Sequence, residues 1–94
     1  MSDVIARYVR ITGRVQGVWY RAWTAQEAKA LNLDGFVRNR NDGSVEAVFK
    51  GPKTQVGTMI EKCHEGPPLA QVVDIKEQEF DEAVESGFQA LPTL

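Results

Sequence analysis

Residues 13–21 read Gly13-Arg14-Val15-Gln16-Gly17-Val18-Trp19-Tyr20-Arg21, and the rest of the chain is organised around this stretch. A β-branched run at residues 8–12 leads into it, and a helix-forming run at residues 22–33 leads out. The order of strand, glycine-bearing loop and helix places consecutive backbone N–H groups at a helix N-terminus, where their partial positive charge suits an anion. Arg21 lies where the loop becomes helix and adds a planar set of donors that matches phosphate oxygens. A tight turn with an exposed arginine is the alternative interpretation.

Length and composition limit the chain to one small domain. The 94 residues are 43% hydrophobic, which is enough for one core without disulfides and predicts a single domain over residues 1–94. One cysteine, Cys63, excludes an internal disulfide framework and a cysteine-based zinc cluster. The N-terminal residues do not resemble a signal peptide, and no apolar run reaches membrane length. We therefore expect a soluble protein of the cytoplasm.

The charges are distributed unevenly along the chain. Residues 1–50 carry eight basic and five acidic side chains, whereas residues 51–94 carry three and eight. The basic first half favours binding of a small anion. The acidic second half argues against an extended nucleic-acid or membrane surface.

Two stretches have the spacing of amphipathic helices. The first helix is expected to bury one face, which consists of Tyr20, Thr24, Ala28 and Leu31. Asn32 follows at a position that often needs the left-handed backbone conformation. The second helix opens at Gly51-Pro52 and ends at Gly66-Pro67-Pro68. Its apolar stripe consists of Val56, Met59, Ile60 and Cys63.

The segments outside the helices have the pattern of strands. The first predicted strand ends at Gly13. Four further strands are predicted at residues 36–40, 45–50, 70–79 and about 88–90, and a hairpin turn at residues 41–44 joins the first two of these. Val73 and Ile75 are expected to form an inward-facing pair in the fourth strand. The order β-α-β-β-α-β plus a terminal strand predicts an α+β, ferredoxin-like fold, in which a mainly antiparallel sheet carries both helices on one face.

Few side chains could carry covalent or metal chemistry. Cys63 falls on the apolar stripe, which is typical of a core thiol. His64, the single histidine, has no carboxylate partner in the sequence pattern. The spacing typical of metal ligands is absent from the sequence. The remaining candidates are the glycine loop, Arg21 and the polar side chains that the second strand brings beside them.

The second strand carries a further motif. It consists of Gly35-Phe36-Val37-Arg38-Asn39 followed by Gly43, Val45 and Gly51. Together with residues 13–21, this motif resembles the two signatures of the acylphosphatase family, small enzymes that hydrolyse acyl phosphates to a carboxylate and inorganic phosphate. The resemblance covers essentially the whole chain. It implies the ferredoxin-like fold, a phosphate cradle of loop amides, a catalytic arginine at Arg21 and a water-positioning asparagine at Asn39.

The sequence departs from the family pattern in a few places. Tyr20 replaces the more usual phenylalanine, Phe36 the more usual tryptophan and Asn32 a frequent glycine, all tolerable changes of shape. The arginine often found near the end of the last strand is missing. Two alternatives stay open. One is a non-catalytic module that binds carbamoyl phosphate or a protein, and the other is an RNA-binding module of the same topology, against which the lack of further aromatics near Phe36 argues.

The implied reaction needs few chemical groups. Phosphoryl transfer requires mainly positioning and positive charge around the equatorial oxygens. Arg21 supplies this charge together with the loop amides of Val15, Gln16, Gly17, Val18, Trp19 and Tyr20. The carboxylate leaving group, whose conjugate acid has a pKa of about 4, departs without a general acid, so a water held in line by Asn39 attacks directly. We therefore expect no cofactor and no metal, an acyl phosphate substrate, inorganic phosphate as product and inhibitor, and a monomer that binds neither nucleic acid nor membrane.

Overall fold

Residues 3–94, which the computed structural model describes, form a five-stranded sheet with two helices on one face. The elements in chain order are β1 (Val4–Arg14), α1 (Tyr20–Ala30), β2 (Asp34–Asn39), β3 (Val45–Pro52), α2 (Lys53–Glu65), β4 (Gln71–Glu79) and β5 (Phe88–Leu91). The strand order is β4-β1-β3-β2-β5, and every neighbouring pair is antiparallel except the parallel pair β2–β5. The predicted α+β, ferredoxin-like fold is confirmed.

The core lies between the sheet and the helices. Val9 and Ile11 of β1 are fully buried and pair in register with Ala47 and Val45 of β3, so these side chains share the helix-covered face. The apolar stripe of α2 packs there, and its buried members are Val56, Met59, Ile60 and Cys63, as predicted. Within residues 3–94, neither helix combines the length and apolar character that crossing a membrane requires.

Helix α1 closes the other half of the core. Its buried residues are Tyr20, Thr24, Ala25 and Ala28. Leu31, predicted to be on the buried face, is partly buried and follows the last helical residue. Asn32 has a φ of 57°, which confirms the left-handed conformation predicted there. This turn lets the N–H of Leu33 reach the carbonyl of Ala28 at 3.0 Å and ends the helix.

One prediction for β4 is wrong, because Val73 does not face inward. Its side chain is 80% exposed, and Val72 packs against the core beside Ile75 instead. The pairing of β1 with β4 shifts between Thr12 and Gly13, where one residue of β4 is left without a partner. Val73 is that extra residue, and a β-bulge of one residue reverses the alternation of side chains that follow it.

Gly13 makes this bulge possible. Its φ is 121°, and a Cβ at this position would lie 2.3 Å from the carbonyl oxygen of Gln71 and 2.7 Å from the amide nitrogen of Val73. Because both are backbone atoms of a paired strand, a side chain at residue 13 would push β1 and β4 apart. Gly13 therefore serves the pairing of β1 with β4.

Candidate active site

The loop of residues 15–19 connects β1 to α1 with two residues in the left-handed conformation. Gly17 has a φ of 72°, and Trp19, which immediately precedes α1, has a φ of 69° and a ψ of 16°. The side chains of Val15 and Val18 are buried and anchor the loop to the core. Left-handed residues between a strand and a helix let successive backbone N–H groups face outward as an anion-binding concavity.

The N–H groups of this loop have no backbone acceptor. Among residues 3–94, no carbonyl oxygen receives a hydrogen bond from the N–H groups of residues 16–19. These donors lie at the N-terminus of α1, where the helix dipole adds partial positive charge. Unpaired donors and a helix N-terminus together form a site for an anion.

A cavity of ≈ 340 Å³ opens at this loop. Its lining comprises Val15, Gln16, Gly17, Trp19, Tyr20, Arg21, Ala22 and Asn39. The cavity thus brings together all the residues predicted for the site except Val18, whose side chain lies in the core and whose backbone alone can take part. Arg21 and Asn39, which come from α1 and β2, face the same space.

Arg21 is held at the cavity by the last strand. Its Nη1 donates a hydrogen bond to the backbone carbonyl of Leu91 at 2.9 Å, and the contact is partly buried. A guanidinium carries five N–H donors in a fixed plane, so one bond to Leu91 orients the group and leaves the other donors for a ligand. The role of Leu91 could not be predicted from the sequence, because the contact joins residues 70 positions apart.

Asn39 lines the cavity and has one unpaired side-chain atom. Its side-chain Oδ1 is buried and has no hydrogen-bond partner within residues 3–94. A buried polar atom without a partner costs about 1–3 kcal/mol, and such an atom marks a position where a water or a ligand belongs. The backbone carbonyl of Asn39 accepts the N–H of Leu94 at 3.0 Å, which fixes the end of β2.

The Gln16 side chain connects the loop of residues 15–19 to the hairpin that follows Asn39. Its Nε2 donates to the backbone carbonyls of Arg40 at 2.8 Å and Ser44 at 2.9 Å. The sequence predicts only a backbone N–H contribution from Gln16, and its motif carries no signal for this side-chain contact. It holds the two walls of the cavity, the loop and the end of β2, in a fixed relation.

A charged cluster on the helix-free face of the sheet was also missed. The Glu46 carboxylate accepts the Tyr8 hydroxyl at 2.6 Å and lies 3.8, 3.7 and 3.4 Å from Arg10, Arg38 and Arg40. Burial, followed by the hydrogen bond to Glu46, raises the pKa of Tyr8 and keeps it a donor. Arg38 and Arg40 flank Asn39 in the chain, so the cluster fixes the backbone on both sides of it. One sequence signal was available for this cluster: the hairpin turn at residues 41–44 places the oppositely charged Arg38 and Glu46 opposite each other on β2 and β3.

Cys63 and His64 lie outside the cavity. Cys63 is fully buried in α2, and burial raises the pKa of its thiol to about 12, so that the neutral thiol prevails at neutral pH. Desolvation also raises the pKa of Tyr20, whose hydroxyl donates to the carbonyl of Cys63. His64 is exposed near the end of α2. Over residues 3–94 there is no group of three His, Cys, Asp or Glu side chains able to hold a metal ion.

Comparisons with known proteins identify the family of this chain. The family model for acylphosphatase matches residues 7–90. An acylphosphatase of Rhizorhabdus wittichii is 49% identical over 98% of this chain and 93% of its own length. An acylphosphatase of Rhodospirillum rubrum is 50% identical over 92% and 94% of the two chains. The structure of an acylphosphatase from Coxiella burnetii matches with a TM-score of 0.90 and 31% identity over 95% and 94% of the two chains. The chain therefore belongs to the acylphosphatase family.

Proposed function

We propose that this protein hydrolyses acyl phosphates to a carboxylate and inorganic phosphate by in-line attack of a water held by Asn39. The observation that carries the proposal is the convergence of three sets of polar groups on one cavity. These are the unpaired loop N–H groups, the Arg21 guanidinium, whose Nη1 is bonded to Leu91, and the side-chain amide of Asn39. Family membership supports the same reaction class.

The phosphoryl group binds in the loop. The N–H groups of residues 15–20 and the free donors of Arg21 surround its non-bridging oxygens, and the dipole of α1 adds positive charge. Because the N–H groups of residues 16–19 have no backbone acceptor and Leu91 orients Arg21, little reorganisation is needed when charge develops in the transition state. The loop and Arg21 therefore act on substrate binding and on the transition state alike.

Asn39 acts on the water. Its side-chain amide hydrogen-bonds the water and turns a lone pair of the water oxygen toward phosphorus, on the side opposite the acyl oxygen. The water oxygen forms a bond to phosphorus, the bond from phosphorus to the acyl oxygen breaks, and a proton of the water passes to a phosphoryl oxygen. The released carboxylate is a weak base, with a conjugate-acid pKa of about 4, so it leaves without a general acid.

Arg21, Asn39 and the loop of residues 15–19 all belong to one chain, which supports a monomer. We extend the proposal to a monomer that acts in the cytoplasm, with inorganic phosphate as a competitive inhibitor because it fits the same loop. Sedimentation equilibrium tests the monomer, and a dimer at assay concentrations would contradict it.

Hydrolysis of benzoyl phosphate by the purified protein tests the function. We expect turnover that inorganic phosphate inhibits competitively. Arg21→Lys should lower kcat/KM by about a hundredfold or more, because a single ammonium cannot replace a planar set of donors. Arg7→Lys is the matched control, since Arg7 lies outside the cavity and pairs with exposed Glu79. Absence of turnover, or equal activity of the two lysine variants, would contradict the proposal.

A further inference from the structure

Trp19 combines backbone strain with exposure. Its φ of 69° lies in the left-handed region, which bulky side chains rarely adopt. Its side chain is nevertheless 77% exposed, so core packing does not compensate for the strain. Strained residues that the core does not explain concentrate at functional sites, where the strained geometry serves binding or catalysis.

Trp23, the second tryptophan, differs from Trp19 in its burial. Trp23 packs against the core and lies 5.5 Å from the ring of Tyr20. Trp19, by contrast, lines the cavity that contains Arg21 and Asn39. Trp19 is therefore a residue of the cavity wall with an exposed indole.

We propose that the Trp19 indole contacts the acyl group of the substrate and gives the protein a preference for aromatic acyl phosphates over short aliphatic ones. The proposal rests on the proposed function, because it places the phosphoryl group in the loop. With the phosphoryl group bound there, the acyl group extends away from the loop N–H groups into the space that Trp19 borders. An aryl ring can stack on the indole or meet it edge to face, whereas a methyl group covers little of it.

The size of the preference follows from aromatic pairing. A pair of aromatic rings contributes a factor of about 2 to 12 in affinity beyond the area that it buries. Trp19→Gly should therefore lower the ratio of kcat/KM for benzoyl phosphate to that for acetyl phosphate by about 2- to 12-fold. Taking the ratio cancels any change in the loop that affects both substrates equally. Trp19→Phe keeps an aromatic face and should retain most of the wild-type ratio.

Two controls separate this effect from a loss of structure. Leu69→Ala removes another exposed apolar side chain, 63% exposed and outside the cavity, and should leave the ratio unchanged. Trp19→Gly should unfold at no lower urea concentration than wild type, since glycine adopts a φ of 69° without strain. A marked loss of stability in Trp19→Gly would show that the indole serves packing and would overturn the proposal.

Calorimetric binding of two phosphonates provides the decisive comparison, because it does not depend on turnover. Wild type should bind phenylphosphonate more tightly than methylphosphonate, and Trp19→Gly should lose about 2- to 12-fold of that preference. Equal preference in wild type and Trp19→Gly would overturn the role of Trp19, whatever the activity. Failure of wild type to hydrolyse either acyl phosphate would instead refute the proposed function, so the two failures are distinguishable.

Discussion

Replacement of Glu46 by glutamine tests whether the charged cluster on the helix-free face stabilises the fold. The Glu46 side chain is only 8% exposed, and three arginines approach its oxygens within 3.8 Å. Glutamine has nearly the same shape and still offers an oxygen to the Tyr8 hydroxyl. The substitution therefore removes the charge, leaving the arginines without their common partner.

The expected loss is intermediate between those of buried and exposed ion pairs. Removing one partner of a fully buried pair costs about 3–5 kcal/mol. The arginines here keep 22 to 32% of their side-chain surface in water, and Asp42 still pairs with Arg10 at 3.2 Å. Water and Asp42 therefore offset part of the loss, and we expect Glu46→Gln to lower the free energy of unfolding by about 2–3 kcal/mol.

Urea unfolding followed by circular dichroism measures this loss, with Glu79→Gln as the matched control. Glu79 pairs with Arg7 at 3.8 Å, but its side chain is 88% exposed, so that its removal should cost about 0–1 kcal/mol. Raising the salt concentration should shrink the control effect more than the Glu46 effect, because exposed charges are screened. Equal losses for the two glutamine variants would refute the argument that burial makes the cluster stabilising.

Three further predictions concern the core and the sheet. Tyr20→Phe leaves the Cys63 carbonyl without its partner and should lower the free energy of unfolding by about 1–2 kcal/mol in urea, whereas an unchanged midpoint would show that the bond contributes nothing. Gly13→Ala should cost about 2 kcal/mol or more because its Cβ meets Gln71, and a variant as stable as wild type would contradict the close approach of β1 and β4. The Cys63 thiol, with its pKa raised by burial from 9.0 to about 12, keeps its proton in the folded state where the unfolded state loses it. The free energy of unfolding should therefore fall as the pH rises above 9, and its slope should be steeper in wild type than in Cys63→Ala by up to about 1.4 kcal/mol per pH unit. Equal slopes in the two proteins would contradict the burial of the thiol.

The features that sequence could predict depend on local patterns. The apolar stripe of α2, the left-handed turn at Asn32 and the order of the elements all follow from residues close together in the chain. The inward pair in β4 failed because the bulge opposite Gly13 depends on how two distant strands pair. A strict alternation of side chains holds only while the register is uninterrupted.

The candidate site likewise has residues that the sequence predicts and supporting contacts that it does not. The loop and Arg21 were identified from the strand-loop-helix pattern, and Asn39 from the family signature. Their supports were not, because the carbonyl of Leu91 and the contacts of the Gln16 side chain join segments 24 to 70 residues apart. Such contacts leave no periodicity or motif in the chain, so that only the folded arrangement reveals them.

The steady-state kinetics of Asn39→Ala test whether Asn39 holds the attacking water. If Asn39 holds the attacking water while the loop and Arg21 bind phosphate, the alanine variant should lose about a hundredfold or more in kcat for an acyl phosphate. Its inhibition constant for inorganic phosphate should change by less than about threefold. Asn41→Ala, which alters an exposed asparagine of the neighbouring turn, should leave both values as in wild type. An Asn39→Ala enzyme with full kcat, or one that loses turnover and phosphate binding in equal measure, would contradict the account.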